Sequence, residues 1–269
     1  MIALVDYQKG NLKSVERGLI AAGGEALITA DASEIAKADA IVLPGVGAFA
    51  DAAATMCELG QMEVIRDRVR AGVPFLGICL GEHLMFEHGV EGAPEGNPAC
   101  GLGLLPGTVV AMPRCDAQGK AFKVPHVGWN TIEMPACNGG AAVPPCGEGG
   151  GNAVLSSGGA GGGAARSSAA KRGLFEHGAF PGSAPQPGSD LAFACPLFDG
   201  IAPGEYFYFT HSYIAPTGSH TIAETTHSTR FTSAVQFGER AFGVQFHPEK
   251  SSDAGARVLA NFVAIAARS

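Results

Sequence analysis

Phe75–Glu87 reads FLGICLGEHLMFE, an apolar run that gives way to a helical pattern at Cys79, between Gly77 and Gly81. A strand that turns sharply into a helix exposes its corner residue above the carboxyl edge of a sheet. Glycines two before and two after the corner let the backbones pass without Cβ clashes. Gly77-Ile78-Cys79-Leu80-Gly81 is therefore the cysteine counterpart of the G-x-S-x-G elbow. A helix beginning at Leu80 would stabilise a thiolate, and its free N–H groups would face a developing oxyanion. The other reading of these residues is an inert core cysteine, the usual fate of Cys in an apolar run.

Outward from the elbow, short β-like runs alternate with helical patterns. Met1–Asp6 reads as a strand and Leu12–Ala22 as a helix, with Leu12, Val15, Leu19 and Ala22 on one face. Strands follow at Ala26–Thr29 and Ala40–Leu43. Helical segments at Asp51–Leu59 and Met62–Ala71 lead to the strand Val73–Ile78 and a helix from Leu80. This alternation predicts an α/β fold, a mostly parallel sheet with helices on both faces. From Thr108 the pattern is strand-rich, with strands at Val127–Glu133, Tyr206–Phe209, His220–Glu224, Ser233–Phe237 and Ala241–Gln245. A helix over about Asp253–Ala266 closes the chain.

Asn138–Ser189 differs in kind: 36 of its 52 residues are Gly, Ala, Pro or Ser, with little side chain to pack. Such a segment cannot offset the entropy of ordering itself and is expected to be a mobile surface insertion in a single domain. A linker between two domains fits less well, because Tyr206–Ser269 is strand-rich without a closed set of partners.

The 269 residues are 46% hydrophobic with a net charge of −7, which argues against nucleic acid or an anionic membrane as the main partner. The longest apolar run near the N-terminus, Ile2–Val5, is too short for a signal sequence or a membrane span. Seven cysteines at irregular spacing include no CxxC pair, as in a reduced, cytoplasmic protein. The histidines His88, His126, His177, His220 and His227 show no metal-ligand spacing and read as structural or solvated.

Phe246-His247-Pro248-Glu249 gives the elbow a chemical partner. Pro248 pushes His247 into an extended conformation, and residues two apart in an extended chain share a side. A carboxylate orienting an imidazole that serves a thiol is the logic of a Cys79–His247–Glu249 triad. Pro44-Gly45-Val46-Gly47 ends another strand. Its Gly45-x-Gly47-x-x-Ala50 spacing superficially fits a dinucleotide fingerprint, but it does not follow the first strand and no acidic strand end comes after it. A flexible turn beside the elbow, with N–H groups able to complete an oxyanion hole, is the better reading.

Together PGVGAF (44–49), GICLG (77–81), HVGWN (126–130), YFTHSY (208–213) and QFHPEKS (245–251) resemble the glutaminase subunits of imidazole glycerol phosphate synthase. These are class I (triad) glutamine amidotransferases of histidine biosynthesis. YQKGNLKSV (7–15) is similar to that family's opening. GxCxG and HPE are shared by the wider class; PGVG, HVGWN and Lys250-Ser251 point to this subfamily.

The resemblance implies a flavodoxin-like amidotransferase domain that needs no cofactor or metal. It implies hydrolysis of glutamine to glutamate and ammonia, with Cys79 as nucleophile, His247 as general base and acid, and Glu249 orienting it. The oxyanion hole would be the Leu80 N–H with one from Gly45 or Val46. Ser212 and Tyr213 would meet the glutamine α-carboxylate, and Glu91 its α-amino group. Asn11, with Lys13, and Trp129, Tyr208 and Lys250 would face a cyclase subunit, a (β/α)₈ barrel. That partner, in a heterodimer, would use the ammonia to form imidazole glycerol phosphate and AICAR. The family usually follows the elbow with Met-Gln, the Gln touching bound glutamine. Here Glu82 and His83 stand there, and His83 is expected to take over that contact. A glutaminase serving another synthase and a catalytically impaired regulatory subunit remain the alternatives.

Overall fold

In the computed structural model, which describes residues 1–135 and 193–268, the alternating runs become a parallel frame. The stretch 138–189, expected to be a mobile insertion, lies outside the described residues. The frame opens with β1 (Ile2–Val5), α1 (Leu12–Ala21), β2 (Ala26–Thr29), α2 (Ala32–Lys37) and β3 (Ala40–Gly45). It continues through α3 (Phe49–Glu58), α4 (Gln61–Arg70), β4 (Phe75–Cys79) and the single turn α5 (Leu80–His83). Short strands follow: β5 (Phe86–Gly89), β6 (Ala99–Cys100), β7 (Leu105–Ala111) and β8 (His126–Thr131). The C-terminal part supplies β9 (Tyr206–His211), β10 (Tyr213–Ile214), β11 (Thr221–Thr226), β12 (Arg230–Phe237), β13 (Ala241–Val244) and α6 (Ser252–Ala266).

The main sheet runs β11-β12-β13-β4-β3-β1-β2. From β2 to β13 the neighbours are parallel, in the order of a flavodoxin-like sheet, and β12 and β11 extend it antiparallel. Side chains alternate across each strand, so two cores form. Ile2, Leu4, Val42, Leu76 and Val244 meet Val15 and Leu19 of α1 and Val258 and Phe262 of α6. Ala3, Val5, Ile41, Leu43 and Phe75 face Ile35, Met56 and Ile65 from α2 to α4. Each fully buried large side chain, such as Phe262, contributes about 1.5–3 kcal/mol.

The helix expected from Leu80 is one turn long. Leu84, Met85 and Phe86 are all fully buried, so the run has no polar face to give solvent. It enters a second sheet instead, where β5 pairs with β6 antiparallel and β7 parallel. The strand expected at Ala40–Leu43 continues through Pro44 to Gly45, which brings Gly45 level with Cys79. Helix α2 was not expected; Asp31 caps it by accepting a hydrogen bond from the Ser33 N–H at 2.8 Å.

Candidate active site

Cys79 ends the fully buried strand β4 with φ 55° and ψ −105°, a left-handed φ rare for a side-chain-bearing residue. The neighbouring glycines make this turn possible. A Cβ on Gly77 would meet the Gly81 carbonyl oxygen at 2.5 Å, and one on Gly81 would overlap the Leu43 carbonyl. The thiol sulfur lies 3.9 Å from the Thr210 carbonyl oxygen and 3.7 Å from the side-chain nitrogen of Gln245.

Strand β13 pairs with β4 in parallel, Val244 against Ile78, so the chain leaving β13 passes beside Cys79. His247 is extended, as its proline neighbour requires, at φ −103° and ψ 96°. Pro248–Lys250 is a 3₁₀ turn rather than the extended chain expected from the sequence. The turn still brings His247 Nδ1 within 3.0 Å of Glu249 Oε1, both side chains nearly inaccessible. Ser251 clamps the turn, donating to the His247 carbonyl at 2.7 Å and accepting from the Tyr208 N–H at 3.0 Å. Burial alone would lower the imidazole pKa, but the Cys79 thiol and the Glu249 carboxylate favour the cation and raise it to about 9. Nε2 is buried without a well-aligned hydrogen-bond partner and remains available to the thiol.

Gly45 is the register partner of Cys79, and a Cβ there would meet Leu80 Cβ at 2.9 Å and collide with the Tyr7 hydroxyl. Val46, the next residue, is 43% exposed, and its backbone N–H lies beside that hydroxyl. Burial, reinforced by Cys79, pushes the Tyr7 pKa up and keeps the phenol neutral. His83 is buried, its Nε2 held 2.6 Å from Gln245 Oε1; it meets the thiol through Gln245. Glu82 is completely buried against Gly243, with both carboxyl oxygens unpartnered. Burial, then the Cys79 charge, pushes its pKa well above the usual carboxylate range.

Ser212 and Tyr213 follow His211, the residue after Thr210; the Ser212 carbonyl accepts from the Met112 N–H and Tyr213 pairs with Ala111. Glu91 is half-buried at the start of α3, where its backbone carbonyl accepts from the Ala50 N–H at 3.0 Å. Burial raises its carboxyl pKa against the opposing effect of the Phe49 N–H. Trp129 and Tyr208 are cross-strand partners on β8 and β9 with rings 6.1 Å apart, and Lys250 Nζ stands 5.8 Å over the Tyr208 ring. Asn11 precedes α1, a helix beside the Pro248–Lys250 turn; Lys13 is paired with Glu16 at 2.9 Å. His126 is buried within hydrogen-bond distance of His211 and stacked on His227. Among the described residues no group of His, Cys, Asp and Glu is arranged to hold a metal ion, and no helix is long and apolar enough to cross a membrane.

Three residues at the thiol escaped the sequence reading: Tyr7, Thr210 and Gln245. A signal for Gln245 was present. The period-two rule that joins His247 to Glu249 also reaches back to residue 245.

A buried thiol on a strained elbow, a carboxylate-paired imidazole beside it and a glycine turn in register stand together on a flavodoxin-like sheet, the arrangement that thiol-dependent acyl transfer requires. Residues 3–138 and 169–266 match the model of the class-I glutamine amidotransferase family, and the chain belongs to that family. It is 36% identical to imidazole glycerol phosphate synthase subunit HisH of Moorella thermoacetica, over 97% of this chain and 93% of the relative. It is 35% identical to the protein of the same name from Rhodopirellula baltica, over 97% and 96% of the two chains. A crystal structure of a glutamine amidotransferase shares the fold at a TM-score of 0.58 and 16% identity, over 99% of this chain and 98% of that one.

Proposed function

We propose that this chain is the glutaminase subunit of an imidazole glycerol phosphate synthase, hydrolysing glutamine and passing the ammonia to a cyclase partner in histidine biosynthesis. The observation that carries the reading is the convergence of three adjacent parallel strands. β3, β4 and β13 end side by side, and their ends carry Gly45, Cys79 and the His247–Glu249 pair. The subfamily follows from the HisH relatives.

In this reading the Cys79 thiol gives its proton to His247 and the sulfur attacks the side-chain carbonyl carbon of glutamine. Negative charge grows on the carbonyl oxygen, opposed by the Leu80 N–H and an N–H of the Gly45–Val46 turn. His247, held by Glu249, gives its proton to the departing amide nitrogen, which leaves as ammonia. A water then loses a proton to His247 and attacks the thioester carbon. The C–S bond breaks, the sulfur takes that proton back from His247, and glutamate departs. Ser212, Tyr213 and Glu91 are the proposed contacts to the amino-acid end. Trp129, Tyr208 and Lys250, with Asn11, are proposed to face the cyclase in the heterodimer.

Glutaminase turnover of the full chain, alone and with a cyclase subunit and its nucleotide substrate, tests the reading. Partner-stimulated glutamate release is expected, with none from Cys79→Ala, which should still support synthesis from added ammonia. Unchanged turnover in Cys79→Ala would exclude the thiol mechanism.

A further inference from the structure

His83 and Gln245 are buried beside the thiol, and neither belongs to the Cys79–His247–Glu249 line. Gln245 directly follows Val244, the β13 partner of Ile78, so it stands next to the elbow. Its side-chain nitrogen donates to the Cys79 sulfur at 3.7 Å, and its side-chain oxygen lies 2.6 Å from His83 Nε2. An amide oxygen only accepts, so in this arrangement the ring hydrogen is on Nε2. Burial pulls the His83 pKa down to about 4, against the opposing Gln245 contact, and a neutral ring has one hydrogen to place.

We propose that His83 is a positioning residue: it locks the Gln245 carboxamide with its N–H aimed at the Cys79 sulfur, where it stabilises the thiolate. The proposal rests on Cys79 being the nucleophile of the glutaminase reading. The opposite rotamer of Gln245 would set a carbonyl oxygen against the sulfur and oppose its charge. The Thr210 carbonyl already stands 3.9 Å from the sulfur; it accepts from a thiol S–H and offers nothing to a thiolate. The titratable groups around the pair come from every neighbouring element. Tyr7 lies after β1, Glu82 on α5, His247 and Glu249 on the turn after β13, and His211, whose pKa His83 helps to lower, at the end of β9. Of these, His247 and Glu249 belong to the triad; the Gln245 N–H adds a neutral donor from a different direction.

The test is the pH profile of Cys79 alkylation by iodoacetamide in the full chain, followed by mass spectrometry on the Cys79 peptide because Cys57 and Cys100 are exposed. His83→Met and Gln245→Met should each slow alkylation at neutral pH about tenfold and move the profile to higher pH, the effect of one charge-assisted hydrogen bond. The double variant should be no slower than Gln245→Met, since His83 acts through Gln245. His83→Gln retains an N–H donor and should recover most of the rate, which also separates the effect from misfolding. Additive losses, an unmoved His83→Met profile, or no recovery in His83→Gln would overturn the proposal. A raised KM for glutamine with normal alkylation would instead place His83 on the substrate. If the wild type releases no glutamate with its cyclase while these alkylation effects stand, the glutaminase reading fails and the positioning role does not.

Discussion

Gly45 and Cys79 are register partners at the carboxyl ends of β3 and β4. The glycine has no room for a side chain: a Cβ would collide with the Tyr7 hydroxyl and approach Leu80 Cβ to 2.9 Å. Gly45→Ala is expected to push the turn away from the thiol and misplace an oxyanion donor, a loss of about 10²–10³ in turnover. Tyr7→Phe in the same chain relieves the first collision but not the second, so it should recover part of the loss. Normal turnover in Gly45→Ala would show that this turn does not serve the reaction.

The His247 imidazole owes its raised pKa to two neighbours working against burial. Removing either should lower it from about 9, and NMR titration of the ring in Cys79→Ala and in Glu249→Gln reads this directly. A ring that titrates unchanged in both variants would contradict the electrostatic coupling of the three groups.

Glu82 is a buried carboxyl with no partner, so its proton is held to higher pH in the folded chain than in the unfolded one. Below about pH 4.5 both states are protonated and the site carries no ionisation penalty. Above that the unfolded state loses the proton and the folded state keeps it, so stability falls as pH rises, by about 1.4 kcal/mol per unit, until the folded group ionises. Glu82→Met removes both orphan oxygens at similar volume. It should be more stable at pH 7, with an advantage that shrinks on acidification toward pH 4.5. Denaturant melts of both chains between pH 4.5 and 8 check the slope, and parallel curves would refute it.

The β8–β9 ribbon leaves Val127, Trp129 and Tyr206 exposed at 54%, 41% and 56%. If this face docks the cyclase, Trp129→Ala should weaken the complex tenfold or more, as roughly expected for a central aromatic anchor. Cys79 alkylation in the isolated chain should not change. Calorimetric titration of the cyclase into each variant gives the affinity, and equal affinity would move the interface elsewhere.

The parallel frame, the elbow at Cys79 and the His247–Glu249 pair are legible in the chain, because all three are written in short-range terms. Period-two and helical patterns place Ile2–Val5, Ala26–Thr29 and Leu12–Ala21 within a residue or so of where the sequence put them. Gly77, Gly81 and Pro248 act on their immediate neighbours, so the elbow at Cys79 and the extended His247 were readable before any contact was known. Tertiary structure decided what depends on remote pairing. The one-turn length of α5 follows from β7 and β6 capturing Phe86–Gly89, residues that read locally as more helix. The surroundings of the thiol follow likewise from β13 lying beside β4 and from the Thr210 carbonyl of β9 reaching the sulfur. That packing sets Gln245 and Thr210 on the sulfur and seals His83 and Glu82 from water. These contacts join residues some 130 to 170 positions apart. No local pattern encodes them.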